Sequence, residues 1–343
     1  MLPVIKKNIY ILCESYLHLL IAAAIAKINP ANVIYFGRND LLEKIPKIEQ
    51  CFNKFLNLNI NRPIKFFDLS DLEHDLNSLQ LGKGSILVTF YDTHYIFEFI
   101  RHKYKLRWDQ VAIMDDGSAN YFNKVSMPSL SRRLPKYIFN KLTGRFDINL
   151  SRYQLGGNPK IDIFYTLSPK FLYIISDKNS KTIISIKDEM SQVLKDFKVK
   201  SDVNISQAQT LITLAPVYTY KRFDKKKLIK YISSILNYSN NLGKVLIKPH
   251  PKDFGSSIFK DIKLEFSDLD IIEDIPIELI FEELKSINWF GLPSSAMLIR
   301  YFIYPERKDI FYIIPDYSSK FNGLQLEAFE RILGKKFKLI NTE

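Results

Sequence analysis

The chain of 343 residues has little cysteine: Cys13 and Cys51 are the only two. That excludes a disulfide framework and a cysteine-rich metal cluster, and it suits a reducing, cytoplasmic setting. Long apolar runs are missing as well. Lys6-Lys7 followed by Ile9 to Ala26 has the outline of a signal peptide, but Glu14, Ser15 and His18 interrupt the run. The remainder, Leu19 to Ala26, is far too short to span a bilayer, so a strand, a turn and a first helix are expected there. No Gly-rich fingerprint follows the first strand, which excludes a dinucleotide-binding dehydrogenase. Internal repeats, low-complexity tracts and nucleic-acid-binding motifs are likewise absent, and the aromatic residues fall mainly within apolar strand and helix patterns. Acidic residues are in deficit, 37 Asp and Glu against 49 Lys and Arg, a formal net charge of +12. Such a surplus favours an acidic partner: a polyanion, an anionic membrane surface or a phosphorylated donor.

What is present is a chain with a hydrophobic fraction of 46%, enough for a sizeable core, and long enough for two ordinary domains or one large one. Short β-branched runs alternate with helical patterns. Strands are expected at Asn8 to Cys13, Val33 to Phe36, Ile64 to Leu69, Ile86 to Phe90 and Asp109 to Met114. A helix capped by Ser15 is expected from Leu17 to Lys27, and another from Asp40 to Leu56. After Gly156-Gly157-Asn158-Pro159, which reads as a linker, a second series begins. Its strands are Ile161 to Thr166, Thr182 to Ile186, Leu211 to Leu214, Val245 to Ile247, Leu269 to Ile272, Ile287 to Phe290 and Ile310 to Ile314. Its helices are Asp224 to Leu236, one opening at Pro276, one from about Ala296, and a terminal one around Leu324 to Leu333. Two consecutive series of this kind predict an α/β protein with two doubly wound parallel sheets, facing each other across a cleft and divided at residues 157/158.

Four stretches carry chemistry. Lys248-Pro249-His250-Pro251 follows an apolar strand; the prolines force an extended exit, leaving an imidazole beside lysines where α/β sheets take ligands. A turn histidine with no further duty has the same look. Asp115-Asp116-Gly117-Ser118 ends the fifth strand and either presents a carboxylate to a ligand as a base or forms a plain turn. Gly291-Leu292-Pro293-Ser294-Ser295 opens a helix with two hydroxyls and free N–H groups, which suits a phosphate or simple N-capping. Glu278, two residues after Pro276, either compensates a helix dipole or holds a ribose diol. Between Ser118 and Lys160 the cations Lys124, Arg132, Arg133, Lys136, Lys141, Arg145, Arg152 and Lys160 face only Asp147, as a solvated helix face or an anion-lined groove.

The order of these stretches, with MDDGSANY (Met114 to Tyr121), KPHP (Lys248 to Pro251) and PSS (Pro293 to Ser295), resembles the bacterial sialyltransferases of the two-domain GT-B type. CESYLHLLIA (Cys13 to Ala22) is similar to the first loop and helix of the related polysialyltransferase and lipooligosaccharide sialyltransferase families. The resemblance runs from about residue 8 to residue 300. It implies an acceptor-side N-terminal domain, residues 1–157, and a nucleotide-sugar-binding C-terminal domain, residues 158–343. It also implies inverting transfer of sialic acid from CMP-sialic acid to a glycan hydroxyl, with no metal required. Asp115 would be the general base with Asp116 as the fallback, and His250 would assist departure of the CMP phosphate. Ser294 and Ser295 would bind that phosphate, flanked by Lys248 and Pro251, with Glu278 on the ribose.

For the acceptor, Lys124, Arg132, Arg133 and Lys136, with Lys221-Arg222 and Lys225-Lys226-Lys227, suit a growing acidic chain, so a capsular polysialyltransferase leads. Transfer to terminal galactose of a lipooligosaccharide or capsule is the near alternative. A basic surface would also tether the protein peripherally to the anionic inner face of the cell membrane. A CMP-Kdo- or CDP-polyol-dependent transferase and a polyanion-binding protein are the further alternatives; nucleic acid is not expected as a partner.

Overall fold

The computed structural model describes residues 8–37, 39–58, 74, 76–77, 83–91, 95–105, 108–116, 121, 134, 138, 161–172, 181–199, 205–214, 225–239, 243–250, 257–267, 269–272, 275–314 and 322–340. Two compact units divide the chain, Met1–Val193 and Leu194–Glu343.

In the first unit the strands are β1 (Ile9–Cys13), β2 (Ala31–Tyr35), β3 (Lys54–Asn57), β4 (Ser85–Thr89), β5 (Trp108–Met114), β6 (Ile163–Thr166) and β7 (Thr182–Ser185). They form one parallel sheet in the order β3-β2-β1-β4-β5-β6-β7. β1, β2 and β4 are buried along their whole length, as inner strands of a parallel sheet covered on both faces must be. The outermost strands, β3 and β7, leave their ends exposed. After β1 the chain turns at Glu14 and enters α1 (Tyr16–Ile28), whose N-cap Ser15 accepts a hydrogen bond from His18 N at 3.2 Å, as expected. Eight consecutive α1 residues, His18 to Ile25, are buried.

Three expectations change. The helix expected from Asp40 to Leu56 is confined to α2 (Asn39–Leu42) and a 3-10 turn at Ile48–Cys51, after which β3 begins. Pro46 removes a helical donor and Lys47 adopts a left-handed φ of 67°, so the helix cannot continue. The expected strand Ile64 to Leu69 lies outside the described residues. The division expected at 157/158 moves to Val193/Leu194, because β6 and β7 extend the first sheet: Ala112 pairs with Ile163, and Ile163 with Thr182. Two more helices, α3 (Tyr95–Lys103) and α4 (Lys187–Asp196), accompany this sheet.

The second unit contains β8 (Thr210–Thr213), β9 (Val245–Lys248), β10 (Asp270–Ile271), β11 (Asn288–Gly291), β12 (Ile310–Ile313) and β13 (Phe337–Leu339), again all parallel, in the order β10-β9-β8-β11-β12-β13. Its helices are α5 (Lys225–Ser239), α6 (Ser257–Glu265), α7 (Ser295–Ile303) and α8 (Asn322–Leu333). Alternate strand residues supply opposite faces. Ile212, Ile247 and Phe290 pack with Ile232 and Ile235 of α5 and Ile262 of α6 in one buried cluster. Their neighbours Trp289 and Phe311 meet aromatic rings of the other layer, Phe281 and Tyr301. The helix expected from Pro276 is a 3-10 turn at Ile277–Ile280. Among the described residues no helix is long and apolar enough to cross a membrane.

One buried ion pair ties this unit together. Arg300 of α7 has no solvent exposure. Its Nε donates to Asp309 Oδ2 at 2.9 Å and its Nη2 to Asp309 Oδ1 at 3.0 Å. The guanidinium also donates to the carbonyl oxygens of Phe281, Leu284 and Lys285, and Asp309 Oδ1 accepts from Ile287 N at 3.0 Å. A single side chain therefore fixes α7 against the 281–287 segment and the start of β12. Arg300→Met leaves the buried Asp309 side chain without its guanidinium partner, and is expected to cost about 3–5 kcal/mol in urea unfolding. The double variant Arg300→Met/Asp309→Leu is expected to recover most of that loss. Equal losses in the single and double variants would show that the charge pair is not what holds α7.

Candidate functional site

Doubly wound sheets take ligands beyond the carboxyl ends of their strands, where the strand order reverses. In the first unit the reversal lies between β1 and β4. The chain leaving β1 brings Glu14, Ser15 and His18 to this edge; that leaving β4 brings Phe90, and that leaving β5 brings Asp115 and Asp116.

The two adjacent carboxylates have opposite surroundings. Asp115 is fully buried. Its Oδ2 accepts from Leu167 N at 3.0 Å, from Thr166 Oγ1 at 3.3 Å and, in a short hydrogen bond, from Tyr121 Oη. Asp115 Oδ1 is buried and makes no hydrogen bond among the described residues. Burial raises the Asp115 pKa to about 6, against the three hydrogen bonds and with a smaller push from the Asp116 charge. The Tyr121 phenol is raised well above its ordinary range, by burial first and by Asp115 second. In this conformation Asp115, expected to be the base, ties β5 to β6 and does not face outward.

Asp116 does. Its side chain is 28% exposed, and its Oδ1 lies 3.0 Å from His18 Nε2, whose side chain is only 7% exposed. His18 Nδ1 accepts from Glu14 N at 3.3 Å. Since Nδ1 receives a proton donor, the ring proton sits on Nε2 and is donated to Asp116. The imidazole stacks on Phe90 with centroids 3.9 Å apart. A Cβ on Gly37 would run into the Glu14 carbonyl oxygen, so only glycine lets the loop after β2 close over this turn. In the sequence His18 is a polar interruption of an apolar run, inside the Cys13 to Ala22 stretch; nothing there pairs it with Asp116, 98 positions away.

In the second unit the order reverses between β8 and β11. β11 ends at Gly291, where a Cβ would strike Thr213 Oγ1 at the end of β8. The chain then turns through Pro293 into α7. Ser294 is the N-cap residue, but its side chain makes no capping bond, and its Oγ is buried without a hydrogen bond among the described residues. Ser295 is the first residue of the helix. The 3-10 turn holding Glu278, which is 3% exposed, packs against α7. β9, beside β8, leads to Lys248 and His250. His250 is half-buried. Lys248 is buried, with Nζ donating to Pro249 O at 3.3 Å. Pro251, Lys124, Arg132, Arg133 and Lys136 lie outside the described residues. No three His, Cys, Asp or Glu side chains gather for a metal ion among the described residues.

No protein-family model matches the chain, and no curated protein sequence does. Solved structures do. The UDP-GlcNAc 2-epimerase of Methanocaldococcus jannaschii superposes over 98% of this chain and 89% of its own, with a TM-score of 0.52 at 13% identity. The S. aureus MnaA structure with UDP covers 93% of this chain and 82% of its own, with a TM-score of 0.55 at 10% identity. The spinosyn rhamnosyltransferase SpnG, complexed with thymidine diphosphate, covers 97% and 86%, with a TM-score of 0.51 at 11% identity. The chain has the GT-B fold. At these identities the likeness concerns the GT-B architecture, and the chemistry rests on the two residue clusters themselves.

The Asp115 environment makes stability depend on pH. Between about pH 4 and pH 6 the folded protein keeps this proton while the unfolded chain loses it, so the Asp115 contribution falls as pH rises and levels off above about 6. Asp115→Asn removes that slope. Relative to the native chain, the variant is expected to gain about 3 kcal/mol between pH 4 and pH 7, measured as the difference in urea unfolding free energy. A constant difference across this range would contradict the buried, proton-retaining environment.

Proposed function

We propose that the chain is a nucleotide-sugar-dependent glycosyltransferase of the inverting kind, taking sialic acid from CMP-sialic acid. The observation that carries this is the start of α7. A buried Ser294 hydroxyl with no capping bond stands beside helix N–H groups at a strand-order reversal, the place and the donor set that suit a phosphate. His250, at the end of the strand next to β8, supplies the departing CMP phosphate with a proton or hydrogen bond, and Ser294, Ser295 and the helix N-terminus stabilise its charge. Glu278, on the turn packed against α7, holds the ribose hydroxyls. Asp116 takes the acceptor proton, because it is the exposed member of the Asp115-Asp116 pair. The acceptor oxygen forms a bond to the anomeric carbon while the bond from that carbon to the phosphate oxygen breaks, and CMP departs with the electron pair.

The matching stretches around Asp115, His250 and Ser294 support sialic acid as the transferred group. The net charge of +12 supports an acidic acceptor, hence extension of a polysialic acid chain, with terminal galactose of a surface glycolipid as the second choice. Metal-independent turnover belongs to the same proposal.

The test is CMP release from CMP-sialic acid in EDTA, with and without oligosialic acid. Stimulated release with lengthening products is expected. Release stimulated only by galactose-terminated acceptors would move the acceptor, and release only from CMP-Kdo or a CDP-polyol would move the donor. Binding of polyanions with no nucleotide release from any donor would overturn the proposal. Ser294→Ala, which deletes a hydrogen bond to a charged group, is expected to raise the donor KM roughly 10- to 100-fold. His250→Ala is expected to abolish turnover while leaving polyanion binding intact.

A further inference from the structure

We infer that His18 is a positioning residue for the base: its Nε2–H holds the Asp116 carboxylate in the orientation that meets the acceptor hydroxyl. The inference rests on the proposed transferase function and adds to it a residue to which the sequence reading assigned no role.

The geometry restricts His18 on every side. Its own backbone is held at the helix start, with His18 N donating to Ser15 Oγ at 3.2 Å. Glu14 N donates to Nδ1 at 3.3 Å, which commits the ring to the Nε2–H tautomer. The ring face lies 3.9 Å from that of Phe90 at an angle of 20°, which prevents the imidazole from swinging away. Gly37 crosses close over the Glu14 carbonyl and fixes the turn that supplies the N–H. The result is a nearly buried donor aimed at a carboxylate that is itself open to solvent.

This arrangement solves a problem that the neighbouring residue poses. Two adjacent carboxylates at a strand end repel each other, and both would be drawn toward the backbone donors of the next strand. Asp115 takes those donors, Leu167 N and Thr166 Oγ1, together with Tyr121. Asp116 receives a separate donor from α1, and so the two side chains part. Asp116, held in this way and partly exposed, is the carboxylate that accepts the substrate proton. In the transfer step the acceptor O–H bond breaks, its proton passes to the Asp116 carboxylate, and the freed electron pair of the acceptor oxygen attacks the anomeric carbon as the bond to the CMP phosphate oxygen breaks. A positioned base contributes ~10²–10⁴-fold to rate, and a base whose orientation is lost forfeits much of that.

Two substitutions separate hydrogen bonding from packing. His18→Phe keeps a ring to stack on Phe90 but has no donor. His18→Gln keeps an N–H near the Nε2 position but has no ring. With CMP-sialic acid as donor and oligosialic acid or galactose-terminated oligosaccharide as acceptor, His18→Phe is expected to lower kcat roughly 100-fold with the donor KM within about twofold. His18→Gln is expected to restore kcat to within about tenfold of the native chain. Full activity in His18→Phe, or equal losses in both variants, would overturn the inference while leaving the transferase function standing.

A second readout needs no turnover. The chain has five histidines, so ¹⁵N-histidine labelling gives a small set of imidazole signals, and the one missing in His18→Phe is that of His18. The Nε2–H tautomer is expected there at neutral pH, with a signal that moves in Asp116→Asn. An Nδ1–H tautomer, or a signal indifferent to Asp116→Asn, would overturn the pairing even if no donor were turned over.

Discussion

A parallel sheet buried on both faces satisfies its backbone polar groups strand to strand, and every strand must be re-entered from the same end. That constraint organises this molecule twice. All strand carboxyl ends of a sheet point one way, so the segments leaving them crowd one edge, and the reversal of strand order separates two of those segments. In the first unit the separated segments carry Glu14 to His18 and Phe90; in the second they carry Thr213 and the Gly291 to Ser295 turn. The glycines at these edges follow from the same crowding. Gly37 and Gly291 stand where a Cβ would collide with the neighbouring strand's exit, at Glu14 and at Thr213.

Within that frame the division of roles between Asp115 and Asp116 is a matter of solvent and donors. Consecutive residues leaving a strand point to opposite sides, so one carboxylate turns into the layer between β5 and β6 and the other turns out. The inward one meets Tyr121, Thr166 and Leu167 and retains its proton to higher pH because water is excluded. The outward one keeps partial exposure and a histidine donor. Adjacent identical residues thus become a structural tie and a candidate base.

The second unit relies on a different anchor. α7 presents its N-terminus at the reversal point, where the Ser294 hydroxyl makes no hydrogen bond among the described residues. The opposite half of the helix is held through Arg300. That guanidinium is buried at a desolvation cost offset by Asp309 and three carbonyl oxygens. The same residue braces the 281–287 segment, which continues from the turn holding Glu278. The start of α7 and the turn holding Glu278 are therefore positioned by one ion pair on the far side of the helix.

Much of the architecture was legible in the order of residues. Alternating apolar strands and helices encode an α/β fold with two parallel sheets, because hydrophobic periodicity and strand length are local properties. The Ser15 cap, the strands before Asp115 and His250, and the turn into α7 were legible for the same reason. Other features depend on pairing between distant segments. Local pattern cannot say which sheet a strand joins, so β6 and β7 were assigned to the wrong unit and the boundary was placed too early. It cannot say that Pro46 and Lys47 end a helix in favour of an edge strand, nor that Lys248 is buried. Above all, residue type and spacing made Asp115 and Asp116 equivalent and left His18 as an interruption in an apolar helix. Burial and hydrogen-bond partners distinguish them, and those arise only when β5, β6 and α1 come together in space.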